Sequence, residues 1–199
     1  NLPLLELPGY EADDIIATLC GTLSGQGCEV VVVSSDKDLM QLVTDGIRLL
    51  DSAKDRWIGA EQVREKFGVA PEQVIEVMGL MGDPVDNIPG VKGIGEKTAI
   101  ALIQQFETLE NLFARLDEVE QMKLRGAARV RNILAEGKQA AFLSRDLATV
   151  KRDVPIDMGL ESLRARSPDI DKARMLFTEL GFTNLLKLLE NDSNHSSVL

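Results

Sequence analysis

The strongest constraint on the fold is a run of four valines at residues 30–33, which is followed by the polar sequence SSDKD. Four consecutive β-branched apolar residues are typical of a buried strand. Two carboxylates, Asp36 and Asp38, come directly after this strand, with Lys37 between them. Because ligands of open α/β sheets bind beyond the ends of the strands, these carboxylates are candidates for a binding site.

The segments around this strand predict an α/β unit with few strands. An amphipathic helix precedes the valines and ends at Gly25 or Gly27, and a second helix is predicted from about residue 37 to 43. A short hairpin follows over residues 47–58. Only about three strands can be found in the whole chain, fewer than in a typical sheet. We therefore expect a sheet that is incomplete, with further strands upstream of Asn1.

From residue 60 onward the pattern is helical almost throughout. Separate helices are predicted around residues 121–135 and over the segment KQAAFLSRDLATV, and the last residues, DSNHSSVL, are predicted to be a polar tail. No apolar run approaches the length of a membrane span, so no membrane partner is expected. The sequence therefore predicts a mostly helical region after the small sheet.

The charge is distributed unevenly along the chain. The net charge is −10 overall, which by itself argues against a nucleic-acid partner. Residues 1–91 carry −10, residues 92–152 carry +3 and residues 153–199 carry −3. An acidic region followed by a mildly basic one is the distribution expected if an acidic pocket that holds cations lies beside a surface that holds phosphates.

Acidic residues recur in three short groups, each at the boundary of a predicted element. Capping of helix N-termini is the ordinary explanation for any one such group. Carboxylates that share a pocket raise each other's pKa unless cations neutralise them, and oxygen ligands without His or Cys favour Mg²⁺ or Mn²⁺. Two such ions, ~3.5–4 Å apart, catalyse phosphodiester hydrolysis. The candidate metal-binding and catalytic residues are Glu11, Asp13, Asp14, Asp36, Asp38, Asp83 and Asp86.

A glycine-rich string, PGVKGIGEKTA, follows the third acidic group. Glycines allow a ligand to approach the backbone, and the N-terminus of the next helix offers free N–H groups. This is a helix-hairpin-helix pattern, which holds a nucleic-acid backbone without reading its sequence. Basic residues at 123, 125, 129 and 131 could extend the contact. The candidate DNA-binding residues are Gly90, Lys92, Gly93, Ile94, Gly95, Lys97 and Thr98.

Four strings together resemble a known family: GYEADDIIATL, SSDKDLMQLV, GDPVDNIPGVKGIGEKTA and LSRDLATV. They are similar, in the same order, to the 5′-3′ exonuclease (flap endonuclease) domain of bacterial DNA polymerase I. The resemblance implies a PIN-like 5′-nuclease sheet, incomplete at the N-terminus, followed by a helix-hairpin-helix region. The implied boundaries are 1–82 for the catalytic part, 83–190 for the DNA-binding region and 191–199 for a polar tail or linker.

The resemblance also implies an activity. Members of the family cleave DNA or RNA primers from the 5′ end, with a preference for flaps and for nicked or branched duplexes, in replication and repair. By resemblance, the first acidic group belongs to one metal site, the other two groups belong to the second, and a K⁺ ion can bridge the hairpin to a phosphate. A monomer covalently linked to a polymerase domain, in the bacterial cytoplasm near the nucleoid, is expected.

The sequence differs from the family pattern at its N-terminal end. The family has roughly a hundred further residues upstream, with additional metal-binding aspartates and a basic arch that threads the 5′ end. We therefore expect this chain alone to be weak or inactive as a nuclease. Two alternatives stay open: a DNA-binding module whose acids only cap helices, and a phospho-acceptor regulator, for which the hairpin string would have no role.

Overall fold

The computed structural model describes the backbone of residues 2–195 and the side chains of residues 2–189. The chain divides into two compact units. One runs from Leu7 to Ile156, and the other combines the residues up to Glu6 with the segment from Asp157 onward. All the predicted site residues lie in the first unit.

Three strands form the sheet of the first unit, as the sequence predicted. They are β1 (Val30–Val33), β2 (Ile47–Asp51) and β3 (Arg56–Ile58), in the order β1-β2-β3. β1 and β2 are parallel, with Val30 opposite Ile47, whereas β2 and β3 form the predicted antiparallel hairpin. Asp36 and Asp38 therefore lie in the segment that follows the C-terminal end of β1.

The prediction that β1 is wholly buried is wrong. Val32 is buried, but Val31 and Val33 are 40% and 63% exposed. Successive side chains of a strand point to opposite faces, so Val31 and Val33 lie on the face opposite to that of Val32. One face of the strand is therefore left open to solvent.

Eight α-helices surround the sheet or follow it in the described residues. α1 ends with a turn at Gln26, and the loop after α2 begins at Gly68, whose φ of +69° is readily reached only by glycine. The helices are α1 (Ala12–Gly25), α2 (Ala60–Phe67), α3 (Val74–Met81), α4 (Glu96–Phe106), α5 (Leu109–Ala114), α6 (Ala127–Ala148), α7 (Ile170–Glu179) and α8 (Thr183–His195).

Two helix predictions differ from the structure. The helix predicted from about residue 37 to 43 is only a short 3₁₀ helix, Asp38–Leu42, whose Leu39 and Met40 are buried in the core. The two helices predicted between residues 121 and 150 are one continuous helix, α6. Gly137 lies inside α6 and packs closely against Val91, since a Cβ atom there would be 2.5 Å from a methyl group of Val91. This glycine serves close packing and does not end the helix.

The core of the first unit lies between the sheet and the helices that follow it. α3 is the central element: it packs against both α4 and α6, and its Val77 and Met78 are fully buried. Gly79 allows the close approach of α6, since a Cβ atom there would be 3.0 Å from the carbonyl oxygen of Ala141. Arg145 of α6 forms an ion pair with the buried Glu76 at 3.2 Å. These contacts fix the end of α3, from which the third acidic group follows.

The second unit contains a helical hairpin of α7 and α8. Gly181, with φ of +69°, makes the turn, and the rings of Phe177 and Phe182 lie 6.3 Å apart. α8 continues to His195, into the segment predicted as a tail, while residues 196–199 lie outside the described residues.

None of the described helices combines the length and the apolar character that a membrane span requires. The predicted boundary at residues 82 and 83 stays a prediction.

Candidate functional site

A cavity of about 550 Å³ in the first unit brings the three acidic groups together. Six of the seven predicted carboxylates line it, and the seventh, Asp83, is buried beside it at 3% exposure. The loop after α6 closes another side of the cavity. The six lining carboxylates are Glu11, Asp13, Asp14, Asp36, Asp38 and Asp86.

The first acidic group lies at the N-terminus of α1. Asp14 is held in place by two backbone N–H donors, since Glu11 N donates to Oδ2 at 3.3 Å and Lys151 N donates to Oδ1 at 2.8 Å. Burial raises the pKa of Asp13, and the nearby charges of Asp36, Glu11, Asp14 and Asp86 raise it further. Carboxylates from all three groups therefore lie close enough to Asp13 to raise its pKa, so the three groups share one electrostatic environment.

The second acidic group is positioned by a chain of hydrogen bonds after β1. Ser34 Oγ accepts from Asp36 N at 3.1 Å, and Asp36 Oδ1 accepts from Asp38 N at 2.9 Å. Burial raises the pKa of Asp38 to about 6, although the nearby Lys37 ammonium lowers it. A carboxyl with so high a pKa is stabilised in its charged form by an added cation.

The third acidic group lies on a loop that is tied off at its base. Asp83 and Ile88 exchange two backbone hydrogen bonds, at 2.9 and 2.8 Å, and Asp83 Oδ1 also accepts from Val85 N at 2.9 Å. Gly82 and Gly90 meet below this bridge: a Cβ atom on Gly90 would lie 2.4 Å from Gly82 N. Both glycines have positive φ, so the loop depends on them for its conformation and for its closure.

The second and third groups converge on one point. Asp38, Asp83 and Asp86 each offer a carboxylate oxygen, and these oxygens all lie within 4.8 Å of one another. Lys37 Nζ contacts Asp83 Oδ2 and lies 3.5 Å from Asp86 Oδ2. Burial raises the pKa of Asp83, but the hydrogen bond from Lys37 and backbone donors outweigh it and the pKa is lowered. Burial lowers the pKa of Lys37, but the hydrogen bond to Asp83 and the adjacent carboxylates raise it to about 12.

The donor set fits a hard divalent cation. Asp38 Oδ1 is buried and accepts no hydrogen bond from the described residues, and Asp83 Oδ2 has only its contact with Lys37. Unsatisfied buried carboxylate oxygens are costly unless a cation compensates them. Carboxylate oxygens without sulfur or imidazole are the ligands of Mg²⁺ and Mn²⁺. The arrangement can therefore bind a divalent metal ion, with Asp38, Asp83 and Asp86 as its candidate ligands.

Three features of the site were missed from the sequence. The sequence places Lys37 between two aspartates but does not reveal that its side chain bridges the carboxylates of two groups. Asp146 adds a further carboxylate to the cavity lining, and the backbone of Lys151 orients Asp14. The string LSRDLATV, on which the family resemblance partly rests, contains Asp146 and ends directly before Lys151, and it was the available signal for this side of the cavity.

The hairpin residues divide between exposed and buried positions. Lys92, Gly93, Gly95 and Lys97 are exposed, and α4 begins directly after Gly95, whose carbonyl oxygen accepts from the backbone of Thr98 at 3.0 Å. Two predicted contacts, Gly90 and Ile94, are buried instead. Gly90 N donates to the buried Ser144 Oγ at 2.9 Å, and Ile94 packs in the core. That the hairpin binds DNA stays a prediction. Within it, the buried Gly90 and Ile94 support the conformation of the loop.

The proposed basic extension is only partly free. Lys123, Arg125 and Arg129 are exposed. Arg131, by contrast, donates to Asp117 Oδ1 at 2.6 Å. This ion pair occupies one of the four basic side chains that were expected to contact a phosphate backbone.

Comparison with known proteins gives a family for both parts of the chain. Residues 1–68 match the model of the 5′-3′ exonuclease N-terminal resolvase-like domain, and residues 69–171 match the 5′-3′ exonuclease C-terminal SAM fold. DNA polymerase I of Bacillus caldotenax is 42% identical over 198 residues, which cover 98% of this chain. The chain spans about a fifth, 22%, of the length of that relative.

Solved structures show the same fold. The T5 5′-exonuclease with bound divalent metal ions (zinc) matches with a TM-score of 0.62 and 28% identity, covering 73% of this chain and 52% of that one. A complex of the bacteriophage T5 D15 flap endonuclease with DNA and metal ions matches with a TM-score of 0.58 and 29% identity, covering 72% of this chain and 51% of that one. The predicted α/β fold of the PIN-like 5′-nuclease type is confirmed, and the chain belongs to the 5′-3′ exonuclease family.

Proposed function

We propose that the protein carrying this chain hydrolyses phosphodiester bonds at the 5′ ends and 5′ flaps of DNA, as the 5′-3′ exonuclease part of a DNA polymerase. The observation that carries the proposal is the cavity in which acidic groups from three separate places in the sequence meet. Family membership and the DNA polymerase I relatives support it. RNA primers and nicked or branched duplexes are further proposed substrates.

The acidic cavity is the proposed catalytic centre. Two divalent ions, Mg²⁺ or Mn²⁺, would supply activation of water and stabilisation of the leaving oxygen. The carboxylates of the chain hold the cations and exclude other anions, so a phosphate enters only when cations are bound. Glu11, Asp13 and Asp14 form one proposed ligand group. The other group comprises Asp36, Asp38, Asp83 and Asp86.

The hairpin is the proposed grip on the duplex. Gly93 and Gly95 present exposed backbone next to the N-terminus of α4, and Lys92 and Lys97 add positive charge. Backbone N–H groups and lysines of this kind bind phosphates without base recognition. A K⁺ ion between the hairpin carbonyls and a phosphate is part of the proposal. This grip follows the acidic loop directly in the chain, so both can act on one nucleic acid.

A DNA-binding module without catalysis is the second candidate. Asp14 favours it, because its two carboxylate oxygens already accept hydrogen bonds from backbone N–H groups, as a purely structural acid would. The two candidates differ in their response to metal. A catalytic centre couples divalent-ion binding to Asp38, Asp83 and Asp86, whereas a binding module would not.

The test is cleavage of a duplex with a 5′ flap by the full-length protein, with Mg²⁺ or Mn²⁺ and with EDTA. We expect cleavage at the flap junction that requires the metal and is lost in Asp36→Ala. DNA binding with no cleavage under any of these conditions would leave the binding module as the better description.

A further inference from the structure

Lys37 lies at the point where the second and third acidic groups converge. Its ammonium nitrogen contacts Asp83 Oδ2, and it lies 3.5 Å from Asp86 Oδ2 and 3.7 Å from Asp38 Oδ1. These are the same three carboxylates whose oxygens come within 4.8 Å of one another. A side chain of this chain thus sits where a cation bound by these three residues would sit.

We propose that Lys37 is a built-in counter-ion that competes with the divalent cation for Asp38, Asp83 and Asp86 and must move away when the cation binds. The inference rests on the proposed metal site and adds a residue that sets its affinity. Lys37 acts here as a positioning residue, through the carboxylates, and takes no direct part in bond cleavage.

The need for a counter-ion follows from the packing of Asp83. Its side chain is almost fully buried, and the charges of Asp38 and Asp86 are close to it. A buried carboxylate beside two others is unstable as an anion unless a positive charge is in contact with it. Within the described residues, Lys37 is the cation that makes this contact. It therefore holds the site together when no metal is bound.

A lysine satisfies these carboxylates less well than a metal ion does. Its single charge faces three acids, and Asp38 Oδ1 still accepts no hydrogen bond from the described residues. A divalent ion offers twice the charge and several coordination positions for oxygen ligands. The Lys37 side chain is 30% exposed, so its flexible stem can turn its ammonium group into solvent. Exchange of lysine for metal thus requires only a side-chain rotation.

The first test follows Lys37 itself in the native chain. The ¹³Cε resonances of the lysines in the native chain are recorded during a Mg²⁺ titration. Lys172 on α7 is the control, because it forms its ion pair with Asp169 inside the second unit. We expect the Lys37 resonance to shift with the midpoint of Mg²⁺ binding while that of Lys172 stays in place. Mg²⁺ binding without movement of the Lys37 resonance would overturn the inference.

The second test compares Lys37→Met with Lys37→Arg by Mn²⁺ binding in electron paramagnetic resonance. Met keeps much of the length of the side chain without its charge, whereas Arg keeps the charge. We expect Lys37→Met to bind Mn²⁺ about tenfold more tightly, the gain expected when the binding-competent fraction rises from about a tenth to nearly all. Lys37→Arg should bind within about threefold of the native chain, since the competing charge remains. Equal or weaker binding by a folded Lys37→Met variant would overturn the inference.

A third pair of variants separates this inference from the proposed function. If Asp83→Asn and Asp86→Asn leave Mn²⁺ binding unchanged, the proposed metal site is wrong, and the proposed competition between Lys37 and the cation is wrong as well. If both variants weaken Mn²⁺ binding but Lys37→Met does not strengthen it, only the competition fails. Should Lys37→Met not fold without metal, the resonance of Lys37 in the native chain decides the question.

Discussion

The segment that joins α3 to the first turn of α4 has two halves of opposite charge. Residues 82–90 carry Asp83 and Asp86 and are tied off by a backbone bridge and by the contact of Gly82 with Gly90. Residues 91–98 carry the exposed Lys92 and Lys97, the second of which lies in the first turn of α4. One continuous segment thus offers a negative, fixed surface to the cavity and a positive surface to solvent.

The difference teaches how much structure each kind of ligand requires. Metal ligands must keep their oxygens within a few tenths of an ångström, so the acidic half is pinned by buried backbone contacts. A phosphate backbone is held by charge and by exposed N–H groups, which tolerate small displacements. Substitutions of the buried glycines in the acidic half should therefore damage the fold and substitutions of its aspartates the proposed metal site, whereas substitutions in the basic half should weaken only the affinity for DNA.

The largest effect is expected from Gly90→Ala. A Cβ atom there would lie 2.4 Å from Gly82 N, and the backbone φ of +60° disfavours alanine. We expect a loss of about 3 kcal/mol in the free energy of unfolding, measured with urea. Gly95→Ala is the matched control, because a Cβ atom there meets nothing within 4 Å. Equal stability of the two variants would show that the glycine contact does not hold the acidic half.

Asp86→Ala should abolish most catalysis while leaving the fold intact. The Asp86 side chain is 46% exposed, so its removal costs little packing, but a proposed metal ligand is lost. In the full-length protein we expect turnover on a 5′-flap duplex to fall at least about a hundredfold, with DNA affinity nearly unchanged. Asp45→Asn, at an exposed turn, is the control that should keep full turnover. A parallel loss of DNA affinity in Asp86→Ala would argue against this division of roles.

The acidic half should respond to pH because burial raises the pKa of Asp38 to about 6. Below this pH the metal-free protein holds a proton on Asp38, which a cation must displace, and above it the carboxylate is free to bind. We expect Mn²⁺ affinity to fall by up to about tenfold per pH unit below about pH 6 and to change little from about pH 7 to 8. Asp38→Asn should flatten this dependence. Equal Mn²⁺ affinity of the native chain at about pH 5 and about pH 7.5 would contradict it.

The smallest effect is expected from Lys97→Ala in the basic half. Loss of one phosphate contact should weaken duplex binding about three- to tenfold at low salt and lower the salt slope by about one. Mn²⁺ binding should stay unchanged. Lys172→Ala on α7 is the control of equal charge, for which fluorescence anisotropy with a labelled duplex should show no comparable loss. An unchanged salt slope in Lys97→Ala would remove this lysine from the proposed grip.

Short-range patterns predicted much of this molecule. Alternation and turn residues gave the hairpin of β2 and β3, and the boundary positions of the acids led to the cavity that six of them line. These features are encoded locally, by capping and by strand ends. The four family strings, which lie between residues 9 and 150, supplied the PIN-like fold.

Features that depend on tertiary packing were not predicted. The exposure of Val31 and Val33 depends on what packs over that face of β1, and Gly137 stands inside α6 at a close contact with Val91 instead of ending a helix. The role of Lys37 depends on the distance between two loops that are far apart in sequence, so no pattern around Lys37 reveals it. Sequence periodicity carries no information on contacts between side chains that are far apart in the sequence.

Mn²⁺ binding by the native chain and by Asp13→Asn and Asp86→Asn, compared at about neutral pH, is the most direct test of the proposed two-ion metal centre built from three acidic groups. The two residues come from different groups but line the same cavity. We expect each substitution to weaken Mn²⁺ binding by at least about tenfold in a protein that keeps its native circular dichroism. If both folded variants bind Mn²⁺ as the native chain does, the acidic groups are structural and the metal centre does not exist.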